Sequence, residues 1–152
     1  MFCYYYNTPA GKLQIVADSE YITGITFCEK KMKSVVEKET PLIRKMYEQL
    51  EEYFDGQRKI FDIPVKATGT AFQKSVWEAL QKIPYGETRS YKQIAEMIGK
   101  PAACRAVGMA NNRNPVSIVI PCHRVVGANG DLVGYAGGLD VKIKLLELER
   151  IK

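Results

Sequence analysis

Histidine occurs once in this 152-residue chain, at position 123, and tryptophan once, at position 77. A zinc site needs three or four Cys, His or carboxylate ligands, usually at short spacings. The four cysteines, at positions 3, 28, 104 and 122, form no C-x-x-C pair, so no metal is expected. No apolar run approaches the roughly 20 residues that span a bilayer, which argues against a membrane protein. The opening Met1-Phe2-Cys3-Tyr4-Tyr5-Tyr6 lacks the basic segment and apolar stretch of a secretory signal. The expectation is a cytoplasmic protein with reduced thiols and no disulfides. No internal repeat or low-complexity tract interrupts it.

What is present is a soluble, globular composition, 46% hydrophobic and 26% charged, enough for one ordinary domain or two small lobes sharing a core. The net charge is +5 and unevenly placed. Residues 1–66 and 131–152 are each balanced, whereas residues 67–130 hold eight lysines and arginines against three glutamates. A phosphate backbone is a natural partner for such a segment; a solvated face with some excess of lysine is the competing reading.

Residues 2–7, 12–18 and 21–28 read as short strands rich in Tyr, Ile, Val and Thr, with a turn at Asn7-Thr8-Pro9-Ala10-Gly11. They imply a small antiparallel sheet. Leu42, Met46, Leu50 and Tyr53 recur at helical spacing over 41–55, and Gly56 closes that helix. Residues 57–69 read as an extended connector. Three helices follow. The first covers about 70–82, with Phe72, Val76, Leu80 and Ile83 on one side. The second starts at Ser90, with Gln93 completing a capping box, and stops at Gly99. The third has Pro101 in its first turn and runs through Ala102, Ala103, Cys104, Arg105, Ala106, Val107, Gly108, Met109 and Ala110. The last two form a helix-turn-helix pattern. Small residues let a helix approach another surface closely. That surface could be the protein core; the basic segment and the following Asn111-Asn112-Arg113 favour DNA.

Residues 118–126 read Ile-Val-Ile-Pro-Cys-His-Arg-Val-Val. A strand-like run ends at Pro121, and a thiol and an imidazole follow. Cysteine is mostly thiol at neutral pH, and a nearby base or cation raises its thiolate fraction. His123 and Arg124 are the local candidates. Neighbours on a strand face opposite ways, so Cys122 and His123 need a turn or a bridging water to communicate. A carboxylate commonly orients such a base; Asp131, Asp140, Glu147 and Glu149 are available downstream. A small buried cysteine and a structural histidine are the alternatives, and the residues taken singly leave the choice open.

The string Ile120-Pro121-Cys122-His123-Arg124-Val125-Val126 resembles the active-site signature of the O6-alkylguanine-DNA alkyltransferases, the methylated-DNA–protein-cysteine methyltransferases. Phe72-Gln73, Val76-Trp77, Ile83-Pro84-Tyr85-Gly86, Ser90-Tyr91, Arg105-Ala106-Val107-Gly108, Asn114-Pro115 and Gly134-Tyr135-Ala136-Gly137-Gly138 extend the likeness over about residues 67–150. Residues 1–66 resemble the family loosely, through the hairpin around Thr8–Leu13.

The resemblance implies an α+β fold: a ribonuclease-H-like antiparallel-sheet lobe over 1–66, and a helical winged-helix/helix-turn-helix lobe over 67–152 that carries the active site. It implies stoichiometric transfer of an alkyl group from O6-alkylguanine in duplex DNA, with O4-alkylthymine a further possible substrate. Cys122 would be the acceptor and needs an exposed, ionisable sulfur beside a base pocket. His123 would take its proton through a water and Glu149 would polarise His123. Tyr91 would protonate the leaving guanine, and Asn114 would brace the turn. Val125, Tyr135 and the backbone N–H of Ala136 would form the base pocket. Arg105 would fill the space left by the flipped nucleotide, and Cys104, Ala106 and Gly108 would face the minor groove, only about 6 Å wide. The resemblance implies no cofactor; the single histidine departs from the members that bind zinc, so that site is not expected here, and a monomer is the default. A lesion sensor without chemistry and a winged-helix transcription factor are the other classes.

Overall fold

The computed structural model describes residues 1–28, 34–132, 135 and 137–150. Three antiparallel strands, β1 (Phe2–Thr8), β2 (Gly11–Ala17) and β3 (Ile22–Phe27), form a meander. The Thr8 hydroxyl closes its first turn, donating to the Gly11 carbonyl at 2.6 Å and accepting from the Ala10 N–H at 3.2 Å. A short fourth strand, β4 (Val36–Glu37), adds to the free edge of β1 in parallel, giving the order β3-β2-β1-β4. The sheet is therefore mixed, not purely antiparallel. Two residues of pairing, both exposed, leave no alternating pattern for sequence reading to detect.

Helix α1 (Pro41–Phe54) is capped by Thr40, whose side chain accepts from the Ile43 N–H, and starts on a proline. Ile43, Met46, Leu50 and Tyr53 are fully buried, the three- and four-residue spacing of one helical face. The connector is extended as expected, and Val65 bridges to Ile22. Helix α2 (Ala71–Leu80) begins with a capping box between Thr70 and Gln73. The preceding Gly69 is obligatory, because a Cβ there would lie 2.5 Å from the Trp77 ring.

The pair of helices then appears: α3 (Tyr91–Met97), with the Ser90/Gln93 capping box, and α4 (Cys104–Asn112). Gly99 turns between them at φ +74°. Pro101 is not in the first turn of α4. The helix starts three residues later, and Pro101-Ala102 form a turn before it. A proline at N1 is favourable but not directive. Trp77 ties α2 to α4 through its indole N–H, which donates to the Ala110 carbonyl at 2.9 Å. Helix α5 (Leu139–Arg150) closes the described chain.

One continuous core joins the sheet residues Leu13, Ile15 and Ile25 to Trp77, Val107 and Cys122. The sheet reaches the Cys122 segment directly. Ile25 donates its N–H to the Pro115 carbonyl at 2.8 Å and accepts from Ser117 at 2.9 Å. No helix among the described residues is long and apolar enough to cross a membrane.

Candidate active site

The segment before Cys122 is not a strand but a series of tight turns. Val119 N–H donates to Ser117, Ile120 to Val116 and Cys122 to Ile120, at 2.8–3.0 Å. Ile118 sits at φ +73°, a region a β-branched residue enters only when its surroundings hold it there. Asn114 supplies that hold. Its amide donates to the Ile120 carbonyl at 2.7 Å, and its side-chain oxygen accepts from the Val116 N–H at 3.0 Å. Asn111, buried on α4, donates to the Cys122 carbonyl at 3.3 Å.

After Pro121 the chain makes one 3-10 turn, Cys122–Arg124, and enters β6 (Val125–Val126). Strand β6 pairs in parallel with β5 (Arg89–Ser90), with Val126 opposite Ser90. Ser90 is also the N-cap of α3, so this short ladder sets Tyr91 beside the turn. Tyr91 is half-buried. Burial raises its hydroxyl pKa, with smaller contributions from Cys122 and Cys104.

His123 is completely buried. Its Nε2 lies 2.5 Å from Glu149 Oε2. An ionised carboxylate only accepts, so Nε2 carries the proton and Nδ1 is left as the basic lone pair. Nδ1 is buried and has no hydrogen-bond partner among the described residues. Burial lowers the His123 pKa and outweighs the raising effect of Glu149.

Glu149 is held by five donors. Oε1 accepts from Arg124 Nε at 2.8 Å and the Gly86 N–H at 3.3 Å; Oε2 accepts from His123, from Tyr53 Oη at 2.6 Å and from Arg124 Nη2 at 3.1 Å. Burial alone would raise this carboxyl, but the His123, Arg124 and Tyr53 hydrogen bonds win and bring it down to about 2. Gly86, at φ +83°, presents its N–H from a turn that other residues adopt with strain.

Cys122 is 4% exposed, which corrects the expectation of an exposed sulfur. Its turn is packed into the core. Burial raises the thiol pKa, while Asn114, Tyr135 and Lys142 act to lower it. The resting group is a thiol with thiolate-stabilising groups around it. The Tyr135 hydroxyl is buried and faces Cys122 and Ser117 electrostatically, without forming a hydrogen bond of normal geometry among the described residues. Arg124 does not serve the sulfur as the sequence allowed. Besides Glu149 it donates to the Ile83 carbonyl at 2.8 Å. The cation that acts on Cys122 is Lys142 of α5, fully buried, with Nζ 2.6 Å from the Val125 carbonyl.

On α4, Cys104, Arg105 and Ala106 are exposed. Gly108 is half-buried, and a Cβ there would touch the Tyr91 ring at 3.8 Å, so it packs against α3 as well as bordering the surface. Val125 is buried. Ala136, expected in the base pocket, and Gly134 lie outside the described residues. No cluster of three metal-ligating side chains occurs among the described residues.

The sequence assigns Tyr53, Gly86, Asn111 and Lys142 no part in holding Cys122, His123 or Glu149. In sequence Tyr53 is an apolar position on the α1 face, which its ring is; nothing local signals that its hydroxyl reaches 96 residues along the chain. A lysine within the apolar pattern of α5 was the one available signal for Lys142.

Comparison with known proteins agrees along the whole chain. Residues 71–151 match the family described as "6-O-methylguanine DNA methyltransferase, DNA binding domain", and residues 1–67 match its "ribonuclease-like domain". A methylated-DNA–protein-cysteine methyltransferase of Methanosarcina acetivorans is 51% identical, with 98% of each chain covered. The constitutive enzyme of that name in Bacillus subtilis is 45% identical, over 95% of this chain and 93% of its own. A crystal structure of Mycobacterium tuberculosis OGT in complex with DNA superposes with a TM-score of 0.92 at 42% identity, covering 99% of this chain and 93% of that one. The chain belongs to the 6-O-methylguanine DNA methyltransferase family.

Proposed function

We propose that this protein repairs O6-alkylguanine in DNA directly, moving the alkyl group onto Cys122 in a single turnover. The observation that carries the reading is the His123 imidazole, fixed through Nε2 by Glu149, with Nδ1 left as the basic nitrogen, without a hydrogen-bond partner among the described residues, on the residue that follows Cys122. Through one water, Nδ1 takes the thiol proton and Glu149 stabilises the imidazolium. The thiolate attacks the alkyl carbon. A C–S bond forms, the C–O6 bond breaks, and guanine leaves with the electron pair. Tyr91 donates a proton to that guanine. The thioether is stable, so each molecule acts once and needs no cofactor.

The damaged base must leave the stack, which costs a few kcal/mol. Helix α4 presents Cys104, Ala106 and Gly108 to the minor groove, and Arg105 fills the vacated space. The Val125 carbonyl and the Tyr135 ring receive the base, while Asn114 keeps the Cys122 turn rigid. Residues 1–66 act as a supporting unit and residues 67–152 as the DNA-binding and acceptor unit, in a cytoplasmic monomer. The names of the relatives and the structure of one of them with DNA support this reading.

Incubation with a duplex containing O6-methylguanine, followed by intact mass, tests it. One added methyl is expected, mapped to Cys122 and absent from Cys122→Ser. An unchanged wild-type mass with retained DNA binding would make the protein a lesion sensor.

A further inference from the structure

Glu149 has more donors than an ionised carboxylate has good places for. Its two oxygens offer about four lone-pair sites, and five donor groups converge on them. Three of these meet at Oε2, where the Tyr53 hydroxyl at 2.6 Å competes with the His123 N–H at 2.5 Å. Tyr53 comes from α1, the helix packed against the sheet, and is fully buried among Phe54, Phe61 and Tyr85. Burial and the adjacent carboxylate hold its phenol far above its ordinary pKa, so it remains a donor at every working pH.

We propose that Tyr53 is a positioning residue for the acceptor machinery: its hydroxyl fixes how much of Glu149 Oε2 remains for His123, and thereby how basic the imidazole is toward Cys122. The sheet-bearing part of the chain then sets the chemistry of the turn as well as supporting it. A hydrogen bond given to a carboxylate lowers its basicity. Without the Tyr53 hydroxyl, Glu149 would pull harder on the His123 N–H, and the imidazole would protonate more readily. Imidazolium cannot accept the thiol proton, so the acid side of the transfer rate would move to higher pH.

The other ionisable groups facing the pair are Tyr85, Arg124 and Tyr135 toward Glu149, and Arg124 and Lys142 toward His123. None of them changes in Tyr53→Phe. Phenylalanine fills the same aromatic space, and Glu149 keeps four donors, so the variant is expected to fold.

His123 is the only histidine, which gives a readout independent of alkyl transfer. Nitrogen-15 NMR titration of its ring in the full-length protein, without DNA, is expected to show Tyr53→Phe raising the imidazole pKa by roughly one unit. Replacing Tyr53 with 3-fluorotyrosine, a stronger donor that keeps the hydroxyl, is expected to lower it. Tyr85→Phe, a change in the same aromatic cluster, should leave it in place. The rate arm rests on Cys122 being the acceptor: the acid limb of methyl transfer should follow the imidazole in Tyr53→Phe, with a several-fold loss at pH values on that limb. An unmoved imidazole in folded Tyr53→Phe, shifts of the same sign in both Tyr53 variants, or an equal shift in Tyr85→Phe would overturn the proposal. NMR shifts of the stated signs without any methyl transfer by the wild type would uphold it as an account of Glu149 and His123 while removing the repair reading.

Discussion

Lys142 Nζ donates to the Val125 carbonyl at 2.6 Å from a fully buried position, and its charge favours the Cys122 thiolate. Burial lowers the lysine pKa and the nearby thiolate raises it, so each ionised form supports the other. Lys142→Met, similar in length but neutral, is expected to slow transfer at neutral pH by about tenfold, equivalent to ~1.4 kcal/mol. The rate should recover as pH rises and the thiol ionises unaided. Single-turnover rates against pH check this; a wild-type profile would remove Lys142 from the acceptor's environment.

Arg124 and Glu149 form a buried pair whose loss on one side leaves an uncompensated charge. Arg124→Ala is expected to cost about 3–5 kcal/mol of stability. Arg124→Lys should recover only part of that, because an ammonium cannot reproduce the two-pronged contact and the Ile83 hydrogen bond together. Urea unfolding with an unchanged slope and a lower midpoint would show it.

Acid should weaken the fold through two groups with the same sign. Glu149 is held at about 2 against an ordinary 4.5, so its contribution is complete above pH 4.5 and is lost as pH falls toward 2. This amounts to about 3 kcal/mol. His123 is buried and held below its ordinary 6.5, so its contribution begins to fall below that pH. Thermal melts at pH 7, 5 and 3 should drop progressively, and Glu149→Gln should flatten the lowest part. The same drop in Glu149→Gln as in the wild type would show that other groups govern acid unfolding.

Helix α4 offers small, exposed side chains at positions 104 and 106. Ala106→Tyr should change stability by no more than about 0.5 kcal/mol yet weaken binding to duplex DNA by at least tenfold. Arg105→Ala should slow repair in duplex more than reaction with a free O6-alkylguanine base. Gel shifts and parallel rate measurements distinguish these effects; equal losses on both substrates would exclude a role for Arg105 in base extrusion.

The elements legible in sequence were those with local signals. Ser90 and Gln93 announced the start of α3, and the spacing of Met46, Leu50 and Tyr53 announced α1. The Pro-Cys-His-Arg string located the turn. Where partners lie far apart in the chain, local pattern was silent. Tyr53 looked like core because its ring is core; only the fold brings its oxygen to Glu149. Arg124 looked like the cation for its neighbour Cys122, but the 3-10 turn sends the two side chains to different partners. The Ile118–Ile120 run looked like a strand because apolar composition cannot distinguish a strand from a buried turn.

The packing over Cys122 bears on how long a molecule stays serviceable. A cysteine that can be alkylated only once is ruined equally by peroxide or by a stray electrophile, and both act on accessible thiolates. Nearly enclosed, and with its thiol pKa raised by burial, this sulfur is a poorer target for such accidents than an exposed thiolate would be. The burial that keeps this group a thiol at rest is thus also its shelter in the idle state.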